Sequence, residues 1–295
     1  HQKMYALKND CLHVRIKKTG AELSSIVGNG KEYLWEGNPA YWAGQAPILF
    51  PFVGRLRNDT YRYKGQHYSL PQHGFFRRSE DITLLEQSDT RLLFSLKSNP
   101  KTRSVFPFEF EFQTAYELQG TKINIQHEVL NLGNDKLWFS LGEHPAFSCS
   151  LTDKKAKHDQ CFLEFEEKET ASTSLLTKEG LIGPEEKEIL KQSQFLELPE
   201  TIFDADALVF QKMNSKKVTL HNRKEGKLVT LAYRDFPYLG IWSKPMAPYV
   251  CIEPWLGIAD PYDSEQNLAN KKGIVSLETG KSCRASYNIG IHLKV

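Results

Sequence analysis

Two short segments place a titratable side chain at the end of an otherwise apolar strand, a setting that turns a carboxylate or an imidazole into a proton-transfer group. The first is Leu141-Gly142-Glu143-His144-Pro145-Ala146-Phe147, in which Trp138, Ser140, Gly142 and His144 share one parity. Pro145 lacks a ladder donor and stops the strand, so His144 falls where a sheet gives way to a loop, a good position for a general acid in a cleft. The alternative is a ring that only bonds a neighbouring carbonyl. The second segment is Tyr249-Val250-Cys251-Ile252-Glu253-Pro254-Trp255. Glu253 is in phase with Tyr249, Cys251 and Trp255, while Val250 and Ile252 point the other way, toward a core. A carboxylate at the end of such a strand, bounded by Pro254 and an indole, is costly to desolvate and tends toward a raised pKa, which suits a general base. Its alternative is a structural ion pair with Arg55 or Arg77.

A third cluster joins Pro47-Ile48-Leu49-Phe50-Pro51-Phe52-Val53-Gly54-Arg55-Leu56-Arg57 to Leu70-Pro71-Gln72-His73-Gly74-Phe75-Phe76-Arg77 across one hairpin. Gly54 and Gly74 allow close backbone approach, and His73, Arg55 and Arg77 could converge on hydroxyls or an anion. Asp206, ahead of Ala207-Leu208-Val209-Phe210, adds a carboxylate at a strand edge; as a bland feature it is a turn or cap residue.

The elements that must position these groups are strands. Phe106, Phe108, Phe110 and Phe112 alternate with Pro107, Glu109, Glu111 and Gln113, and Tyr116 and Leu118 stay in phase. After Gln119-Gly120-Thr121 the pattern resumes as Ile123, Ile125, His127 and Val129, giving an antiparallel hairpin with one wet face. Further strands are expected around Ile82 to Leu96, with a turn at Ser88-Asp89, and at Leu137 to Phe147, Cys161 to Glu166, Ala207 to Gln211, Leu228 to Tyr233, Tyr249 to Glu253 and Ala285 to Leu293. Helical patterns are short, the best being Glu186 to Gln194 and Ser264 to Ala269, and Thr152 to Gln160 reads as a solvated loop. Many β segments separated by Gly, Asn and Pro turns indicate an all-β sandwich or barrel.

The 295 residues carry 38 Lys+Arg against 36 Asp+Glu, a near-balance that argues against nucleic-acid and acidic-membrane partners. With 40% hydrophobic and 12% aromatic residues the chain can bury a large core, which excludes intrinsic disorder for most of it. No repeat or linker divides it, so one domain over residues 1–295 is expected, with His1 to Lys3, ahead of Met4, left out of the reading. Cys11, Cys149, Cys161, Cys251 and Cys283 are too scattered for a zinc knuckle or a redox pair, and no metal site is expected. No apolar run reaches the roughly 18 residues that span a bilayer, and a reducing, cytoplasmic setting is expected.

Five motifs in order, Pro47 to Arg55 (PILFPFVGR), Gln72 to Arg77 (QHGFFR), Gly142 to Phe147 (GEHPAF), Asp206 to Phe210 (DALVF) and Cys251 to Trp255 (CIEPW), resemble the aldose 1-epimerase, or galactose mutarotase-like, superfamily over nearly the whole chain. The resemblance implies a large galactose mutarotase-like antiparallel β-sandwich with the sugar on one concave sheet face. It implies that His144 protonates the ring oxygen, that Glu253 takes the anomeric hydroxyl proton, that His73 and Asp206 hold the sugar, and that Arg55 is the substrate arginine. The pattern around Arg55 departs from the mutarotase proper and leaves Arg57 open. Hexose 6-phosphate relatives tend to carry an arginine before a Gly-Gly-Ile-Pro turn; Ala43-Gly44-Gln45-Ala46-Pro47 lacks it, which demotes a phosphosugar, although Arg77 and Arg78 could hold a phosphate.

Mutarotation removes a proton from the C1 hydroxyl and gives one to the ring oxygen; the aldehyde turns about C1–C2 and recloses. An acid and a base suffice, each worth roughly 10² to 10⁴-fold, with no cofactor required. The expected state is a neutral or cationic His144 facing an ionised Glu253, with Trp42, Trp138 or Trp255 as candidates to stack on the pyranose or to fill the core. The expected partner is a small-molecule sugar, bound by a monomer or homodimer. A non-catalytic carbohydrate-binding protein is the rival class, and it would need neither His144 nor Glu253.

Overall fold

The computed structural model describes residues 2–295, so His1, the first residue of the expected domain, lies outside the described residues. Period-two patterning becomes antiparallel strands throughout. The strand Phe110–Gln119 turns at Gly120 and returns as Lys122–Asn131, with Phe110 opposite Asn131 and Gln119 opposite Lys122. Pairing starts later than the Phe106 alternation suggests, because the short helix Pro100–Val105 runs up to it. A capping box forms that helix: the Asn99 side chain accepts from the Thr102 N–H while Thr102 Oγ1 accepts from the Asn99 N–H.

This hairpin is the middle of a nine-stranded sheet. In spatial order it runs Ile182–Glu197, Cys161–Leu176, Lys217–Asn222, Gly226–Ala232, Ser282–Ile291, Lys122–Asn131, Phe110–Gln119, Arg91–Lys97 and Thr83–Gln87. One face is apolar, with Phe94, Phe110, Phe112, Ile123 and Ile125 buried; Gln113, Glu117 and Gln126 lie on the wet face. Across the apolar face lies a second sheet, in the order Leu208–Phe210, Tyr238–Trp242, Tyr249–Leu256, Leu141–Glu143 and Ile48–Leu49, with Ala146–Ser148 also paired to Tyr249–Leu256. Phe50 sits between the two layers, its ring centroid 4.4 Å from that of Phe112 and 5.4 Å from that of Phe110. Alternation in the second sheet then sorts functions by face. Val250, Ile252, Leu239 and Ile241 join the core shared with the large sheet, whereas Cys251, Tyr249 and Trp255 belong to smaller clusters on the opposite face. A four-stranded sheet, Met4–Lys8, Leu12–Lys17, Leu23–Gly28 and Lys31–Glu32, closes one end through Tyr5 against Phe94 and the Tyr116 hydroxyl donating to the Ala21 carbonyl.

Three expectations are corrected. Glu186 to Gln194 is not helical but part of the strand Ile182–Glu197, because Cys161–Leu176, itself far longer than Cys161 to Glu166, supplies its backbone with partners, Glu186 facing Ser174 and Lys187 facing Thr173. Ser264 to Ala269 yields only the single 3₁₀ turn Leu268–Asn270. Pro254 does not bound its strand, which continues to Leu256; it falls in the interval where Tyr249–Leu256 changes partner from Ala146–Ser148 to Leu141–Glu143, where a missing N–H costs least. Among the described residues no helix is long and apolar enough to cross a membrane.

Because Phe112 is fully buried between Phe50 and Phe76, Phe112→Ala should cost about 3–5 kcal/mol. Denaturant unfolding should show this as a lower midpoint at unchanged slope.

Candidate active site

A cavity of about 290 Å³ opens on the outer face of the second sheet, at the small end of the usual range for ligand sites. Its floor is the strand pair that carries His144 and Glu253. Glu253 stands in the middle of Tyr249–Leu256 and His144 directly after Leu141–Glu143, so two neighbouring strands deliver the two groups to one point. Glu253 Oε1 lies 3.2 Å from His144 Nε2, and both side chains are buried. Trp42 stacks on the His144 ring at 4.9 Å and Trp242 meets it edge-on at 5.8 Å. Of the tryptophans considered for stacking, Trp42 and Trp255 line the cavity and Trp138 does not; Trp242, which the sequence did not single out, does.

Burial dominates the electrostatics. It lowers the His144 pKa to about 3, with the charge of Arg77 acting in the same direction, so the ring is neutral. It raises the Glu253 carboxyl well above its usual range, and the nearby charge of Asp206 raises it further. Two desolvated partners in contact favour the uncharged arrangement, with a proton on the carboxyl. The expected ionised Glu253 is therefore not the form that burial favours. Neither Arg55 nor Arg77 lies within ion-pair distance of Glu253; among the described residues His144 does, and the Trp255 indole acts on the carboxyl in the lowering direction.

His73 enters from a strained turn, with φ +65°. The Gly54 N–H donates to its Nδ1 at 2.9 Å, and its own N–H donates to the Gly54 carbonyl at 2.9 Å. An accepting Nδ1 fixes the neutral ring with its proton on Nε2, consistent with a pKa driven far down by burial and then by His144 and Arg77. The glycines are needed here. Gly74, at φ +71°, would place a Cβ 2.3 Å from the Phe50 carbonyl oxygen, and Gly54, at φ +70°, would place one 2.6 Å from the Ala259 Cβ.

Asp206 also lines the cavity, at φ +78° and exposed, its Oδ1 accepting from the Ala207 N–H at 2.7 Å. Arg77 also lines the cavity; its NH2 donates to the Gln72 carbonyl at 3.2 Å, its buried Nε has no partner among the described residues, and burial lowers its pKa to about 10. Arg78 faces a neighbouring groove beside Phe75 and Ser79, so the two arginines do not converge. Arg55 is not part of the lining: its stem lies beside Gly180 and its guanidinium 4.0 Å from Asp59. Arg57 turns away to the Ser264 carbonyl at 2.8 Å.

Two buried pairs that the sequence reading did not name hold this arrangement. Lys271 Nζ lies 2.7 Å from Asp260 Oδ1 and 2.9 Å from the Ile258 carbonyl, and Asp260 Oδ2 accepts from the Arg57 N–H. That pair ties the Gly54 turn to the Ile258–Ala259 wall of the cavity. On the core side, Glu143 bonds His127, whose Nδ1 bonds Thr114 Oγ1 at 2.8 Å, pinning the strand before His144 to the large sheet. The signal for the second pair was present, since His127 shares the buried parity of Ile123, Ile125 and Val129.

With this geometry in place, comparison with known proteins is decisive: residues 3–290 match the family described as aldose 1-epimerase. The chain belongs to that family. This aldose 1-epimerase family member is 35% identical to "Protein LacX, plasmid" of Lactococcus lactis subsp. lactis, over 97% of this chain and 98% of that protein. Its fold is similar to a galactose mutarotase related enzyme from Lactobacillus acidophilus, with TM-score 0.93 and 33% identity over 99% of this chain and 100% of that one. A galactose mutarotase-like protein from Lactobacillus casei gives TM-score 0.91 and 28% identity over 98% and 100% of the respective chains. The family supports an isomerase-type enzyme of carbohydrate metabolism, and the galactose mutarotase-like β-sandwich is the fold of these relatives.

The neutral His144 sets a pH dependence. Its folded pKa lies below the ordinary 6.5, so its contribution to stability is complete above about pH 6.5 and is lost as the pH falls toward about 3, where unfolded chains bind the extra proton. Denaturant unfolding across that window should show a shallower decline for His144→Asn than for the wild type.

Proposed function

We propose that this chain is a mutarotase that interconverts the α and β anomers of a free aldohexose by acid/base ring opening, acting as a single domain. The observation that carries this reading is the buried 3.2 Å contact between His144 and Glu253 at the floor of a cavity of monosaccharide size. A pair that holds one proton between two desolvated groups contains one acid and one base, and moving that proton across the contact exchanges them. With the proton on His144, the Glu253 carboxylate takes the proton of the C1 hydroxyl while the imidazolium gives its own to the ring oxygen. The C1–O5 bond breaks, the C1=O bond forms, and the pair is left as neutral imidazole and carboxylic acid. After rotation about C1–C2, the Glu253 acid returns its proton to the aldehyde oxygen as the C5 hydroxyl attacks, and His144 takes the C5 hydroxyl proton. Protons balance over the cycle.

The other walls supply recognition. The Nε2–H of His73 is a fixed donor, Asp206 accepts sugar hydroxyls, and Trp42, Trp242 and Trp255 offer apolar faces to the ring. A carbohydrate-binding protein without catalysis would gain nothing from burying an acid and a base in contact, which costs desolvation of both. One observation favours a second substrate reading. The Arg77 guanidinium has no carboxylate partner among the described residues and a buried, unpaired Nε, as would suit a hexose bearing a phosphate.

Exchange measured by NMR or polarimetry on α-D-galactose and α-D-glucose at low buffer concentration tests both. The wild type should accelerate anomerisation, and Glu253→Gln and His144→Asn should each lose at least about 100-fold. A wild type that matches the blank on free sugars yet accelerates a hexose 6-phosphate, with Arg77→Gln abolishing that rate, would move the substrate to the second reading. A blank-level rate on all of them would leave the binding protein.

A further inference from the structure

Cys251 precedes Glu253 by two residues on the same face of one strand, and the mutarotase mechanism makes no use of it. Its thiol is fully buried in a cluster with Trp35 and Ala146, with Trp42 and Trp242 packed against it. The nitrogen of His144, the sulfur of Cys251 and a carboxylate oxygen of Glu253 all lie within 4.8 Å of one another. We propose that His144, Cys251 and Glu253 form a binding site for a thiophilic divalent cation, Zn²⁺ or Co²⁺, and that the bound ion switches off sugar anomerisation.

The donor set is one nitrogen, one sulfur and one oxygen, which selects zinc-like ions over Mg²⁺ and Ca²⁺. The spacing is close to what a tetrahedral ion requires. Ligand bonds near 2.0–2.1 Å for nitrogen and oxygen and 2.3 Å for sulfur separate N from O by about 3.3 Å and N from S by about 3.6 Å. The His144–Glu253 separation is 3.2 Å, and with all three donors within 4.8 Å of one another the sulfur has to close by up to about 1.2 Å to reach a tetrahedral ion, which a torsional adjustment of the Cys251 side chain supplies. Three protein ligands with a fourth position toward a cavity is the open type of zinc site, and here His144 and Glu253 face the cavity while Cys251 lies behind them. The charges also close. Binding displaces the thiol proton and the proton shared by His144 and Glu253, both to solvent, and a dication held by one thiolate, one carboxylate and one neutral imidazole is neutral overall, as a desolvated centre requires. Inhibition follows because the ion occupies the two lone pairs that exchange protons with the sugar. Occupancy rests on geometry alone; the inhibition rests on the mutarotase reading.

Titration of the purified protein with Co²⁺ reads occupancy without any activity. The expected result is one equivalent bound, with the thiolate-to-cobalt charge-transfer band in the near ultraviolet, absent in Cys251→Ser and unaffected by excess Mg²⁺. In the anomerisation assay Zn²⁺ should slow the wild type, and Cys251→Ser should need at least about tenfold more Zn²⁺ for the same fractional loss. Crystals of the wild type soaked in Zn²⁺ should show anomalous density among the three donors, which keeps the test independent of whether the variant folds. No charge-transfer band, density only elsewhere, or equal Zn²⁺ sensitivity of wild type and variant would overturn the site. A cobalt band in a protein that anomerises no sugar would leave the site standing and remove the mutarotase reading.

Discussion

Desolvation of a single His–Glu contact is the constraint around which this molecule is arranged. His144 and Glu253 are each nearly fully buried and 3.2 Å apart, and a charge on either is costly to desolvate. Burial pushes the Glu253 carboxyl up and the His144 imidazole down, which favours one proton for the two groups, the composition that bifunctional proton transfer needs. Among the described residues the buried ring nitrogen Nδ1 of His144 has no hydrogen-bond partner.

Holding two side chains at one point from separate strands demands a rigid floor, and the two-layer architecture supplies it. The second sheet buries Val250 and Ile252 against the Phe110–Phe112 stripe of the large sheet, so its outer face cannot tilt without opening the core. Glu143 reaches through the floor to His127 and Thr114, making the residue beside His144 part of a buried polar network whose rupture would leave a buried polar group unpaired. The Asp260–Lys271 pair does the same for the Gly54 turn, and through Gly54 it fixes the tautomer of His73. Buried polar pairs of this kind add little net stability but hold geometry, and in this fold both lie one residue or one turn from the cavity.

Much of this was legible in the residues. Alternation from Phe106 to Val129 indicated the central hairpin and its wet face, although pairing begins only at Phe110, and the parity of Tyr249 to Trp255 correctly separated the core-facing Val250 and Ile252 from the face that carries Glu253. The five ordered motifs indicated a family that the match over residues 3–290 shows. Distances were not legible: only folding reveals that His144 and Glu253 touch, that Arg55 stands outside the lining, and that Arg77 and Arg78 part company. The misread helix at Glu186 to Gln194 has the same cause, since helix-forming residues there are overruled by a partner strand that local sequence cannot display. Trp242 and Lys271 escaped notice because their roles depend on contacts with residues far away in the chain.

The protonation of that contact is open to direct observation. Infrared difference spectroscopy of the unliganded protein at neutral pH, wild type against Glu253→Gln, reports whether a carboxyl group carries a proton. A protonated-carboxyl C=O stretch present in the wild type and missing in the variant is the predicted result, whereas loss of ionised-carboxylate bands alone would contradict the one-proton pair.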